Sequence, residues 1–149
     1  MRESSLLVAI PAFNEVESLP EVLAKLKANP LVTSILVIDD GSRDGTYEVA
    51  FSSGVNVIRH PYNMGVGAAM RTAFIYAKRN DFDLIVQIDA DGQHDDTCLE
   101  EFLPLMNEFD VVVGSRFLNS NSFKVSTGRY WAIKLLRKSL RVLCGIRIS

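Results

Sequence analysis

The run Leu84-Ile85-Val86-Gln87-Ile88 is too short for an ordinary helix and too apolar for an open surface, so it reads as a strand covered on both faces. It leads into Asp89-Ala90-Asp91-Gly92-Gln93-His94-Asp95-Asp96, a turn crowded with acids. Two earlier runs behave alike. Residues 6–10 stop at Pro11-Ala12-Phe13-Asn14-Glu15, and residues 34–38 stop at Asp39-Asp40-Gly41-Ser42. Pro11 lacks the N–H that the middle of a sheet needs and is expected to end its strand. Residues 55–59 and 110–114 are two further predicted strands. Strands alternating with helices imply an α/β fold with a mainly parallel central sheet and helices on both faces. Ligands of such sheets lie beyond the carboxyl ends of the strands, which is where Glu15, Asp40, Asp89, Asp91 and Arg116 fall.

The helices follow from periodicity. Leu19, Val22, Leu23 and Leu26 make one apolar face, with Pro20 in the first turn and Ser18 and Glu21 at capping-box spacing. Asn29-Pro30 ends that helix, and Ser42 or Asp44 is expected to cap the short one after the second strand. Val66, Ala69, Met70, Ala73, Phe74 and Ala77 form a stripe predicted to face the core. Gly65 and Gly67 at its start suit either close helix packing or a phosphate at the helix N-terminus. Leu99, Phe102, Leu103 and Met106 mark a further helix, capped by Asp95 or Asp96, that Pro104 should kink or end. A polar loop over 119–128 precedes a basic amphipathic helix over 129–143.

With 149 residues, 48% of them hydrophobic, the chain can bury one sizeable core, so a single domain is expected. Cys98 and Cys144 have neither disulfide nor zinc spacing, which fits a reducing compartment. The first residues lack a signal-peptide pattern, and no apolar run approaches membrane-spanning length. Charge is unevenly spread. After Asp110 there are eight Lys and Arg and no acid, so the net −2 leaves −10 on the first 110 residues. A basic segment beside an acidic site suits a phosphorylated substrate, an anionic membrane surface, or both.

Asp89 and Asp91 stand one residue apart on a strand leaving its sheet, so both carboxylates can turn toward one point, where Gln93 adds a neutral oxygen. Three oxygens suit Mg²⁺ or Mn²⁺. A calcium loop would put Gly where His94 stands and a helix before it, although Glu100 does fall at its twelfth position. An aspartyl-nucleophile phosphatase would place its Asp pair on the first strand, and two solvated acids closing a surface turn is the plain alternative. Adjacent carboxylates at Asp39 and Asp40 repel, so a ligand is expected to use at least one of them, and removing Asp40 is expected to relieve the strain.

Taken together, Pro11-Ala12-Phe13-Asn14-Glu15, Asp39-Asp40-Gly41-Ser42, Asn63 with Gly65 and Gly67, Asp89-Ala90-Asp91-Gly92-Gln93-His94 and Gly114-Ser115-Arg116-Phe117 resemble the family 2 glycosyltransferases. Within that family they are most similar to the dolichyl- and polyprenyl-phosphate mannose or glucose synthases. The resemblance implies a Rossmann-like nucleotide-diphospho-sugar transferase (GT-A type) fold, with residues 1–149 as the catalytic domain lacking its C-terminal acceptor-side part. It implies that Pro11, Phe13, Glu15, Ile38 and Asp40 hold the base and ribose of a nucleotide sugar. Asp89, Ala90, Asp91 and Gln93 would line the metal and diphosphate, and Arg116 and Arg129 would contact phosphates, Arg129 on the acceptor side. Asp96 stands where the family often has Pro, and Arg71 departs from the pattern of its helix.

The implied reaction is a metal-assisted, inverting transfer of sugar, with Asp91 and Arg116 closest to the chemistry. A hydroxyl acceptor, as in polysaccharide synthesis, needs a general base, whereas a polyprenyl phosphate is already ionised; the absence of any carboxylate after Asp110 favours the lipid. The expected partners are therefore a nucleotide-diphosphate sugar and a lipid phosphate, with no nucleic acid, on the cytoplasmic side of a membrane. Rival readings are a sugar-nucleotide pyrophosphorylase, which would carry a Gly-rich, Arg-containing loop where residues 11–15 stand, a non-catalytic nucleotide-binding module, and a structural metal-binding domain.

Overall fold

Side chains on the central strands alternate between two separate apolar clusters, and this alternation sets the layers of the molecule. The computed structural model describes residues 5–92, 98–106 and 108–114. Among these, β1 (Leu6–Ala12), β2 (Ser34–Asp39), β3 (Asn56–Arg59) and β4 (Leu84–Gln87) form one sheet in the order β3-β2-β1-β4. Every pairing is parallel, with Ala9 opposite Leu36 on one side and Gln87 on the other. Leu6, Val8, Ile10, Ile35 and Val37 point to one face, where α1 (Leu19–Ala28) adds Leu19, Val22, Leu23 and Leu26. Ala50 of α2 (Thr46–Ser52) and Leu99 of α4 (Cys98–Leu105) complete that cluster. Leu7, Ala9, Leu36 and Ile38 point to the other face, met by Ala69, Ala73 and Ala77 of α3 (Val66–Arg79).

This placement follows from connectivity. Right-handed crossovers put α1 and α2 on one face while the chain steps outward from β1 to β3, and reversal to β4 puts α3 on the opposite face. The strand order therefore switches direction between β1 and β4, which opens a crevice at their carboxyl ends. Residues 1–112 form one compact unit and 113–149 a second, of which only 113 and 114 are described.

Four local expectations change. Pro11 lies inside β1 rather than ending it, because β4 pairs only as far as Ala9 and β1 is an edge beyond that point. Ser18 makes no capping box with Glu21: its hydroxyl donates to Glu15 Oε2 at 2.6 Å, and Glu21 pairs with Lys25 one turn on. The α3 stripe is only half core; small alanines face the sheet, while Val66 and Phe74 are exposed. Residues 110–114 are irregular, Val111 is 76% exposed, and no described strand pairs with them. A valine-rich run becomes a strand only where a neighbour supplies the ladder. Pro104 behaves as expected, since α4 ends one residue after it. Asp95, Asp96 and the segments over 119–128 and 129–143 lie outside the described residues.

Candidate nucleotide-sugar site

The carboxyl ends of β1, β2 and β4 and the start of α3 enclose a cleft of about 290 Å³. Pro11, Ala12, Phe13 and Glu15 come from the end of β1, Asp40 from the end of β2, and Asp89, Ala90 and Asp91 from the turn after β4. Asn63, Gly65, Val66 and Ala69 form the wall at the helix start. Seven of the residues assigned from sequence thus meet in one place: Pro11, Phe13, Glu15, Asp40, Asp89, Ala90 and Asp91. Ile38 does not line the cleft. Its side chain is wholly buried against α3, because alternation along β2 turns it toward the core rather than the cleft. Gln93, Arg116 and Arg129 lie outside the described residues.

The loops that follow β1 and β2 are tied to each other by side chains. Ser42 Oγ accepts from the amide of Asn14 at 2.9 Å, Thr46 Oγ1 from that of Glu15 at 2.8 Å, and Asp44 Oδ2 from that of Val16 at 3.1 Å. In return Asn14, in the left-handed conformation with φ 57°, accepts from the amide of Arg43. Ser42 therefore does not cap α2; Asp44 does reach the amide of Thr46 at the helix start, and its carboxyl is held below the ordinary aspartate value. Burial opposes that shift, but the Thr46 hydroxyl and the amides of Val16 and Thr46 outweigh it. Gly41 permits the close approach: at φ 76°, an added Cβ would lie 2.6 Å from the backbone of Tyr62.

Asp39 and Asp40 are both buried, and each has its own set of donors. Asp39 Oδ1 accepts from the amide of Ser42 at 3.0 Å, while Arg59 Nε lies 3.0 Å from Oδ2 as an ion-pair contact without hydrogen-bond alignment. Arg59 is fixed in turn by Ser42 O and by the Tyr47 ring, 4.9 Å away. Asp40 turns the other way. It accepts from the amides of Met64 and Gly65, the latter at 2.7 Å, and from His60 Nδ1 at 2.7 Å. Burial pushes the Asp40 carboxyl up, yet these donors prevail and hold it below the ordinary value.

Two expectations fall here. The adjacent acids need no outside ligand to coexist, and deleting Asp40 strands three donors instead of relieving repulsion. The anion at the start of α3 is Asp40 itself, so Gly65 serves a carboxylate of this chain, and Gly67 has open space around it rather than a close neighbour. His60 carried no role in the sequence; the available signal was a histidine following directly on a strand whose neighbour ends in Asp-Asp.

Asp89 is half-buried and accepts from Gln87 Nε2 at 3.2 Å, and Asp91 is exposed. Among the described residues no three His, Cys, Asp or Glu side chains gather closely enough to hold a metal alone. A metal at this cleft would have two carboxylates plus other oxygens, which is how Mg²⁺ is ordinarily bound beside substrate phosphates.

The model of glycosyl transferase family 2 matches residues 7–145. The chain belongs to that family. Among family 2 relatives, it is 35% identical over 115 residues to an undecaprenyl-phosphate mannosyltransferase of Micrococcus luteus, covering 74% of this chain and 47% of that one. It is 34% identical over 119 residues to a polyprenol monophosphomannose synthase of Mycolicibacterium smegmatis, covering 75% and 45%. It therefore spans about half the length of the curated relatives it matches. The structure resembles glucosyl-3-phosphoglycerate synthase from Mycobacterium tuberculosis, solved with Mn²⁺, UDP and glucosyl-3-phosphoglycerate. The TM-score is 0.51 at 27% identity, with 58% of this chain and 33% of that one covered. The family 2 fold is thus of GT-A type, as its parallel sheet and flanking helices indicate. Among the described residues no helix is long and apolar enough to cross a membrane.

Proposed function

We propose that this chain forms the donor-binding part of a glycosyltransferase that moves a sugar from a nucleotide-diphosphate sugar to a polyprenyl phosphate. The observation that carries the reading is the meeting of Glu15, Asp40, Asp89 and Asp91 in one cleft at the switch of strand order. The names of the Micrococcus and Mycolicibacterium relatives support a polyprenyl-phosphate acceptor, and the Mn²⁺ and UDP of the solved neighbour support a divalent ion with a nucleoside diphosphate.

In this reading Phe13 and Pro11 contact the base, and Glu15 and Asp40 accept from base or ribose. Asp89 and Asp91, with Gln93, hold Mg²⁺ or Mn²⁺. An ion held by these residues would supply positive charge to the departing diphosphate. Arg116 adds positive charge to that diphosphate, and Arg129 contacts the acceptor phosphate. Transfer proceeds by a single inverting displacement, and the ionised acceptor oxygen attacks without a general base. The basic stretch after Asp110 suits the anionic lipid surface where such an acceptor resides, which would make the protein peripheral at the membrane.

The test is binding followed by transfer. The chain should bind UDP or GDP by calorimetry with Mn²⁺ present and lose most of that affinity with EDTA. Extended to the length of its relatives, it should transfer radiolabelled mannose or glucose to undecaprenyl phosphate. Transfer only to 3-phosphoglycerate would replace the lipid acceptor with a small phosphorylated one, and metal-dependent stability without nucleotide affinity would leave a structural metal domain.

A further inference from the structure

His60 sits directly after β3, 8% exposed, behind Asp40 rather than on the cleft wall. Its amide donates to Asp39 O at 2.8 Å, which fixes the backbone, and its ring spans two elements. Nδ1 lies 2.7 Å from Asp40 Oδ1 and Nε2 lies 2.9 Å from Thr72 Oγ1, on α3. Proton accounting gives the bridge a direction. A ring nitrogen that close to a carboxylate must carry hydrogen, so in the neutral ring Nε2 is an acceptor and the Thr72 hydroxyl donates to it. That hydroxyl also lies 3.1 Å from Ala68 O and has one hydrogen to give, so the ring and the helix carbonyl compete for it.

A carboxylate offers about four acceptor sites. Asp40 receives three donors from the protein, His60 Nδ1 on Oδ1, the Gly65 amide on Oδ2 and the Met64 amide shared between the two oxygens, while still lining the cleft. The two amides come from one short stretch and move with the start of α3. The ring alone joins Asp40 to a residue further along that helix. We propose that His60 is a positioning residue for the donor nucleotide: through Nδ1–H it fixes the Asp40 carboxylate so that its remaining acceptor site faces the cleft, and through Thr72 it ties that orientation to α3. This rests on the reading of the cleft as a nucleotide site.

The two ring nitrogens can be replaced separately, since an Asn amide reaches the place of Nδ1 and a Gln amide the place of Nε2. UDP and GDP, each with Mn²⁺, are titrated calorimetrically into the wild-type chain and into His60→Ala, His60→Asn, His60→Gln and Thr72→Val, with the melting temperature of each recorded. His60→Ala should weaken the nucleotide that binds by about tenfold, the effect of one lost charge-assisted hydrogen bond. His60→Asn should regain most of the affinity and His60→Gln little, whatever their melting temperatures, and Thr72→Val should fall between wild type and His60→Ala. A purely structural histidine would instead lower the melting temperature of Asn and Gln variants without separating their affinities, and that result overturns the inference. So does wild-type binding that His60→Ala leaves unchanged. A wild-type chain that binds neither nucleotide overturns the reading of the cleft itself, and the inference with it.

Discussion

The acids after β2 and the acids after β4 look alike in sequence and differ in the folded chain. Asp39 and Asp40 are buried, and between them they take one loop amide and an Arg on one side, two amides and an imidazole ring on the other. Asp89 is half-buried beside Gln87, and Asp91 is exposed at the cleft mouth. The first pair is built into the protein, with Asp40 at the cleft wall, and the second lines the cleft from the turn after β4. Charge repulsion between neighbours is thus no guide to ligand binding when successive side chains at a strand end can diverge to separate sets of donors.

This contrast is sharpest for Asp40→Ala. Leaving the amides of Met64 and Gly65 and the His60 ring without an acceptor should cost about 3 kcal/mol of stability in urea unfolding, in addition to nucleotide affinity. A variant as stable as wild type would place Asp40 with the outward-facing acids. Arg59→Ala comes next, because Asp39 is fully buried and keeps only the Ser42 amide. With Arg59 itself 43% exposed, a loss of about 2 kcal/mol is expected, below the usual range for a wholly buried pair, while nucleotide affinity of the folded protein stays unchanged.

Acid should weaken the fold through the wall. Asp40 and Asp44 have folded-state values held below the ordinary 3.8, so the stability they add is complete above that value and lost as pH falls through their lowered values. Asp40→Asn should flatten the acid limb of the stability profile below about pH 4, read from unfolding midpoints across pH. The smallest stability effect belongs to Asp91→Asn, expected within about 0.5 kcal/mol of wild type as an exposed substitution. Its signature is functional: Mn²⁺ should no longer strengthen nucleotide binding. A large stability loss there would erase the difference between the two strand ends.

The sheet and its helices were legible because buried strands leave unbroken apolar runs and helices leave a 3.6-residue period; the runs ending at Ile10, Ile38 and Ile88 locate three of the four strands. The strand misassigned over 110–114 shows the limit of that signal, since apolar composition says nothing about whether a partner edge is present. Glu15, Asp40, Asp89 and Asp91 were placed at the site because strand ends gather in a parallel sheet, whereas Pro11, Phe13 and Ala90 were placed there by the family resemblance. Sequence did not reveal which side chains serve other loops: Ser42 resembles a cap until the amide of Asn14 is found against it, and Asp44 holds the amide of Val16 as well as that of Thr46. Nor did it reveal His60, whose role depends on contacts twelve and twenty residues away.

The two faces of the sheet are anchored unequally. Leucines and a valine of α1 hold one face, whereas α3 meets the other through Ala69, Ala73 and Ala77, each of which buries little apolar surface. Amide hydrogens of α3 should accordingly exchange with solvent through local opening well before those of β1 and α1. Because the start of α3 is also the wall that cradles Asp40, a ligand filling the cleft would slow that exchange along the helix, far beyond the atoms it touches.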